Sequence, residues 1–178
     1  SGGEPLMRPD LLEIVRTLKA GCAPLRVFLN TNGALLTRTR FDGLVDAGVD
    51  EVLVSLDYPD ARHDGFRKIP GLFGRIRVLL GELPLRERRR VVLTTVLHAA
   101  NFREALAVAR LALDWGVNAN FSAYTPLRTN DTSLLVSGDD VPAFGQVVEE
   151  LIAFKRAHGN VLTSDWVLRQ MVRFFANG

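Results

Sequence analysis

The sequence predicts a parallel α/β fold, with strands that line the inside of an open barrel. Segments of strand character alternate strictly with segments of helical period, and the joins are short, which is the pattern of parallel βα units. Each strand segment has one apolar face and one face that turns polar toward its C-terminal end. A flat sheet covered by helices on both sides would need both faces apolar, whereas a barrel turns one face into a lumen. With 178 residues, 47% hydrophobic and 24% charged, and no linker or low-complexity tract, residues 1–178 read as one domain.

The elements follow in order. The chain opens on SGGEPL, and a glycine pair of this kind suits backbone that must come close to a ligand. Residues 9–19 read as a helix, with Leu11, Leu12, Val15 and Leu18 at helical spacing, Asp10 at the positive end of the dipole and Gly21 as the stop. Cys22 is the only cysteine, so no intrachain disulfide forms, and its place between a helix and a strand predicts a buried structural thiol. RVFLNTN, 26–32, is the first strand and ends at Gly33; Thr37 caps a helix that closes at Gly48; EVLVSLD, 51–57, is the second strand. A helix over 73–83 follows. The basic run Arg86–Arg90 reads as a solvated turn before the strand at 91–97, which puts it at the N-terminal end of the barrel, away from any chemistry. A helix over 102–115, a strand over 118–124, a helix over 141–157 and a last helix over 164–176 complete the chain.

The polar strand faces carry Asn30, Asn32, Ser55, Asp57, Thr94, His98, Asn118, Asn120, Ser122 and Tyr124. They converge on the C-terminal mouth, where parallel barrels keep their active sites. His98 suits an acid–base or substrate contact there, and Arg128 suits a clamp on a carboxylate or phosphate of a substrate. His63 and His158 are given no role, and Trp115 and Trp166 read as helix-packing residues. No apolar stretch reaches the roughly 20 residues of a membrane span, no signal peptide stands out, and a net charge of +2 shows no nucleic-acid footprint. A cytoplasmic protein without a membrane or nucleic-acid partner is expected.

Gly2-Gly3-Glu4-Pro5, Asn30-Thr31-Asn32-Gly33 and Val54-Ser55-Leu56-Asp57, in this order and spacing, resemble the core of radical S-adenosylmethionine (radical SAM) enzymes. Arg67-Lys68-Ile69-Pro70-Gly71 and Asn101 fit the same pattern. The subgroup with the molybdenum-cofactor cyclase and the peptide-modifying enzymes is the most similar. The resemblance implies a partial (β/α)6 barrel of TIM-like type, entered at the end of the second strand and followed through the sixth. It implies that Gly2, Gly3 and Glu4 bind the amino group of S-adenosylmethionine, since small residues let carbonyls and a carboxylate approach an ammonium, and that Asn30, Ser55, Asp57 and Tyr124 contact the rest of the cofactor. It also implies a [4Fe-4S] cluster, an electron donor such as flavodoxin or ferredoxin, and a small-molecule or peptide substrate. The expected activity is reductive cleavage of the cofactor to a 5′-deoxyadenosyl radical.

Two departures accompany the resemblance. The family's CxxxCxxC loop is absent from these 178 residues, so the cluster's cysteines are expected outside this chain, and the chain by itself is expected to be a piece without catalysis. The lysine that cyclase-like members carry in the third strand is also absent, with Val91, Val92 and Leu93 there instead. The alternative reading is a degenerate, non-catalytic barrel that binds an adenosine-like ligand or a protein partner.

Overall fold

Among the described residues, four parallel strands lie side by side in the order in which the chain makes them: β1 (Phe28–Thr31), β2 (Glu51–Ser55), β3 (Val91–Leu97) and β4 (Asn118–Ala123). Among the described residues eight α-helices accompany them: α1 (Leu11–Gly21), α2 (Arg38–Ala47), α3 (Arg62–Arg67), α4 (Leu72–Glu82), α5 (Leu85–Arg88), α6 (Ala105–Trp115), α7 (Asp140–His158) and α8 (Asp165–Asn177). This computed structural model describes residues 3–22, 24–127 and 130–177.

Sequential strand order decides where the helices go. A crossover between parallel strands is right-handed, so a sheet that always steps in one direction collects its helices on one face. That face is buried: Leu29, Val52, Val54, Leu93, Leu97, Ala119 and Phe121 all fall below 8% exposure. They pack against apolar positions of the helices, including Phe41 and Leu44 of α2, Ile76 and Leu80 of α4, Val108 and Ala112 of α6, and Val148 and Ile152 of α7. Each Val, Leu, Ile or Phe among them contributes about 1.5–3 kcal/mol by leaving water. The opposite face stays open, as the polar alternation predicts. It presents Phe28, Asn30, Leu53, Ser55, Thr94, Val96, Asn118, Asn120 and Ser122, none of them buried, with only Val92 covered.

Capping residues explain several boundaries. Thr37 Oγ1 accepts the Arg40 N–H at the start of α2, and Gly48 ends that helix in the left-handed region. Gly116 and Gly159 end α6 and α7 in the same way. After α7 the chain returns along β4: Val161 bridges Ala119 in parallel, Ala119 N donates to Asn160 O, and Leu162 N donates to Ala119 O, both at 2.8 Å. Residues 160–163 therefore shield one edge of the sheet. Among the described residues, β1 has the unpaired edge.

The structure departs from the sequence reading at named places. Two short helices, α3 and α5, form where only loop or turn is expected, because six and four residues carry too little period to be read. Arg88, inside the basic run, is structural: Nε donates to Leu83 O at 2.7 Å, Nη1 to Trp115 O at 3.2 Å and Nη2 to Gly81 O at 3.3 Å, which caps the ends of α4 and α6. Cys22 is exposed rather than buried, since α1 runs on through Gly21 and leaves it at the C-cap. Trp166 is 69% exposed, whereas Trp115 packs on Phe73 as expected, with ring centroids 5.5 Å apart. No described helix is long and apolar enough to cross a membrane.

Candidate functional site

The site grows from the pleat of the sheet. Strand register aligns Asn30 with Leu53, Leu53 with Val92 and Val92 with Asn118; one step further, Ser55 aligns with Thr94 and Thr94 with Asn120. Ser55, Thr94 and Asn120 thus form a row of neutral hydrogen-bonding groups across the open face, with Asn30 one step before it and Ser122 one step beyond. Asn120 is held from the edge of the sheet, where its Oδ1 accepts from Thr163 Oγ1 at 2.8 Å. In these strands the one ionisable side chain of the open face is Glu51, at the N-terminal end, where Arg26 meets it at 2.7 Å.

The opening loop is fastened to the end of β1. Glu4 Oε1 accepts from Thr31 Oγ1 at 2.6 Å and from Leu6 N at 3.2 Å, and Oε2 accepts from Asn32 N at 2.8 Å. Thr31 Oγ1 in turn accepts from Gly33 N at 3.0 Å, and Asn32 Oδ1 from Ala34 N at 2.8 Å. The two signature segments are therefore one hydrogen-bonded unit. Sequence reasoning gives the Glu4 carboxylate to a ligand's ammonium; the structure shows it bound to three donors of the protein. Gly3 holds φ +84°, and Gly33 holds φ +81° with space for a Cβ only 3.1 Å from Val54 Cγ1, so both positions require glycine. Gly2 lies outside the described residues.

Asp57 and His98 are placed differently from expectation. β2 ends at Ser55, the alternation ends with it, and the Asp57 side chain turns under α3, 1% exposed. Its Oδ2 accepts from Arg67 Nε at 2.6 Å and lies 3.5 Å from His63 Nδ1, which itself accepts the Asp57 N–H at 3.2 Å. Burial pushes the carboxyl up, but the His63 ring and the Arg67 guanidinium outweigh it and hold Asp57 below the usual carboxylate range. His63, given no role from sequence, is thus a buried part of this cluster. His98 does not face the mouth; it is 1% exposed and stacks on Phe66 at 5.1 Å. Burial lowers its pKa below the ordinary histidine value, against the opposing pull of the Asp57 charge. Its Nδ1 accepts from Ala100 N at 3.2 Å, so the neutral ring carries its proton on Nε2. Asn101 ties the cluster together, donating to Val96 O at 3.0 Å and Asp57 O at 3.3 Å while its Oδ1 accepts from His98 N at 2.8 Å.

Tyr124 stands at the end of β4, where its N–H donates to Leu97 O and its hydroxyl donates to Asp131 O at 3.0 Å. Further along the chain, Leu134 O accepts from Ala99 N at 3.0 Å, just past the end of β3. Arg128 lies outside the described residues. The structure brings Gly3, Glu4, Asn30, Ser55 and Tyr124 to the C-terminal end of one sheet. Alternation along each strand puts Thr94 and Asn120 on the polar face, and only register shows that they continue the Ser55 row. Among the described residues no group of three or more His, Cys, Asp or Glu is arranged to hold a metal.

Residues 1–112 match the sequence pattern described as the Radical SAM superfamily. The AdoMet-dependent heme synthase of Methanosarcina barkeri is 51% identical over 76 residues, which is 42% of this chain and 21% of the relative. The PqqA peptide cyclase of Methylocella silvestris is 30% identical over 180 residues, covering 94% of this chain and 45% of the relative. The crystal structure of Streptococcus suis SuiB bound to S-adenosylmethionine superposes with a TM-score of 0.67 at 12% identity, over 92% of this chain and 38% of that one, and shares the fold. The chain spans less than half the length of these proteins.

Proposed function

The chain belongs to the radical SAM superfamily, and we propose that it forms the wall of the barrel that holds S-adenosylmethionine in a radical SAM enzyme. The observation that carries this reading is the union of the two signature loops: Glu4 locks the GGEP turn against Thr31 and Asn32, beside the open-face residues Asn30 and Ser55. The residues fit the cofactor. Asn30, Ser55 and Thr94 offer neutral donors and acceptors for ribose and amino-acid groups, and left-handed Gly3 leaves backbone exposed at the rim. Gly2 and Tyr124 belong to the same proposed contact set.

When bound, S-adenosylmethionine and a [4Fe-4S] cluster supply the radical chemistry of the family. The residues here bind and orient the cofactor and form one wall against solvent. A cluster does not fit this chain's own donors, since the single cysteine is exposed and sits before β1, at the far end from the mouth. The cluster's cysteines are assigned to segments outside these residues. An electron donor such as flavodoxin or ferredoxin, a peptide or small-molecule substrate, and a cytoplasmic location complete the reading; the peptide cyclase relative supports the substrate class. Asp57 and His98 take no contact role in it. They hold the β2 and β3 ends in place.

The test is cofactor affinity of the full-length protein. Asn30→Ala and Ser55→Ala are each expected to weaken S-adenosylmethionine binding by roughly five- to tenfold, as loss of about one net hydrogen bond predicts. After anaerobic reconstitution they should also lower 5′-deoxyadenosine formation. Affinity unchanged in both variants would overturn the proposed pocket.

A further inference from the structure

Ser55 and Thr94 stand at the last paired position of the β2–β3 ladder, where its register ends. The ends of elements are where a fold opens first, yet two side chains that meet one ligand must keep a fixed spacing. One further ladder bond follows, from Leu56 N to Thr94 O at 2.9 Å. Past it, side chains take over from the neighbouring strand. Leu56 O accepts from Thr95 Oγ1 at 2.6 Å, Asp57 N donates to His63 Nδ1 at 3.2 Å, and Asp57 O accepts from Asn101 Nδ2 at 3.3 Å. Thr95, His63 and Asn101 are all buried.

Asn101 belongs to neither strand and reaches the backbone of both. Its Nδ2 donates to Asp57 O beyond the end of β2 and to Val96 O in β3, and its Oδ1 accepts from His98 N just past the end of β3. These bonds fix the sense of the amide. Turned over, it would set its oxygen against two carbonyls and its nitrogen against an N–H. The residue is itself held in place. Its N–H donates to His98 O at 3.1 Å, and Phe102, next in the chain, is at 0% exposure with its ring centroid 5.6 Å from that of Phe144. At 1% exposure Asn101 does not reach a ligand, so any effect it has on binding passes through the strands it joins.

We propose that Asn101 is a positioning residue of the cofactor site. By tying the exits of β2 and β3 together it sets the spacing of Ser55 and Thr94 on the open face, and Thr95 supports it from β3. The inference rests on the reading of this face as the site of S-adenosylmethionine and adds how two of its groups are kept in register where the ladder ends.

The experiment uses the full-length protein, S-adenosylmethionine affinity and hydrogen exchange by mass spectrometry, in a double-mutant cycle of Asn101→Ala with Ser55→Ala. Thr95→Val removes the bond to Leu56 O with little change of shape, and it carries the test if Asn101→Ala does not fold. Asn101→Ala is expected to weaken cofactor binding roughly threefold or more in the native background and less than about twofold once Ser55 is alanine, since residues that act through one another are not additive. Thr95→Val should follow the same pattern. A residue that only stabilises the fold would give one factor in both backgrounds. The segment holding Leu56 and Asp57 should also exchange roughly tenfold faster in Asn101→Ala. Equal factors in the two Ser55 backgrounds, or affinity and exchange unchanged in both variants, would overturn the positioning role. Faster exchange at Leu56 and Asp57 in a protein whose cofactor affinity ignores Ser55→Ala would sink the cofactor reading and leave the tie between β2 and β3 standing.

Discussion

At the residue scale, two buried groups make the fold sensitive to pH in different windows. His98 has its pKa lowered by burial, so the native state binds fewer protons than the unfolded chain, whose histidine titrates near 6.5. The stability this leaves is present above about pH 6.5 and lost as pH falls below it. The melting temperature of the native sequence should therefore drop more steeply between pH 7 and 5.5 than that of His98→Gln; equal slopes would refute the assignment. Asp57 acts lower. Its carboxyl is depressed in the native state, so its contribution is complete above the unfolded value of about 3.9 and fades as pH falls through the native one. Asp57→Asn strips Arg67 Nε of its carboxylate and should cost about 2–3 kcal/mol at pH 7, below the full penalty of a buried pair because Arg67 is partly in water. Urea midpoints at pH 7 and pH 3 check this: the variant's deficit should shrink in acid.

At the element scale, one carboxylate joins the opening turn to β1. Glu4→Ala leaves Leu6 N, Thr31 Oγ1 and Asn32 N without their acceptor. Local opening should become easier by about 2 kcal/mol, or roughly 30-fold in the exchange rate of the Asn32 amide. Hydrogen exchange by NMR reads that amide directly. Cofactor affinity should fall with it, since Gly3 loses its fixed relation to the end of β1. Protection that persists in Glu4→Ala would show that the turn is held by something else.

At the scale of the whole molecule, the sheet is finished on one side and not on the other. Residues 160–163 pair along β4, while β1 keeps an unpaired edge among the described residues. Phe28, 48% exposed under the Arg26 guanidinium 5.0 Å from its ring centroid, and Leu25, 37% exposed, add apolar surface beside it. Such an edge is a template for strand addition. Expressed as these 178 residues alone, the protein should self-associate, and Phe28→Lys should shift it toward monomer in sedimentation velocity. A monomeric unaltered chain would contradict this.

Periodicity alone determined the parallel βα order, the open face and the span of β3, because strand and helix patterns are local and these segments are long and regular. It also set Asn30 and Ser55 on the polar face, since alternation along a strand needs only the sequence. Tertiary structure decided the rest. Asp57 and His98 follow the same alternation on paper, yet both lie just past a strand's end, where the pleat stops and loop contacts set direction; α3, stacking Phe66 on His98 and Arg67 on Asp57, draws both inward. The bond from Thr31 to Glu4 spans 27 positions, and that from Thr163 to Asn120 spans 43. Local pattern has no access to partners that far apart in the chain.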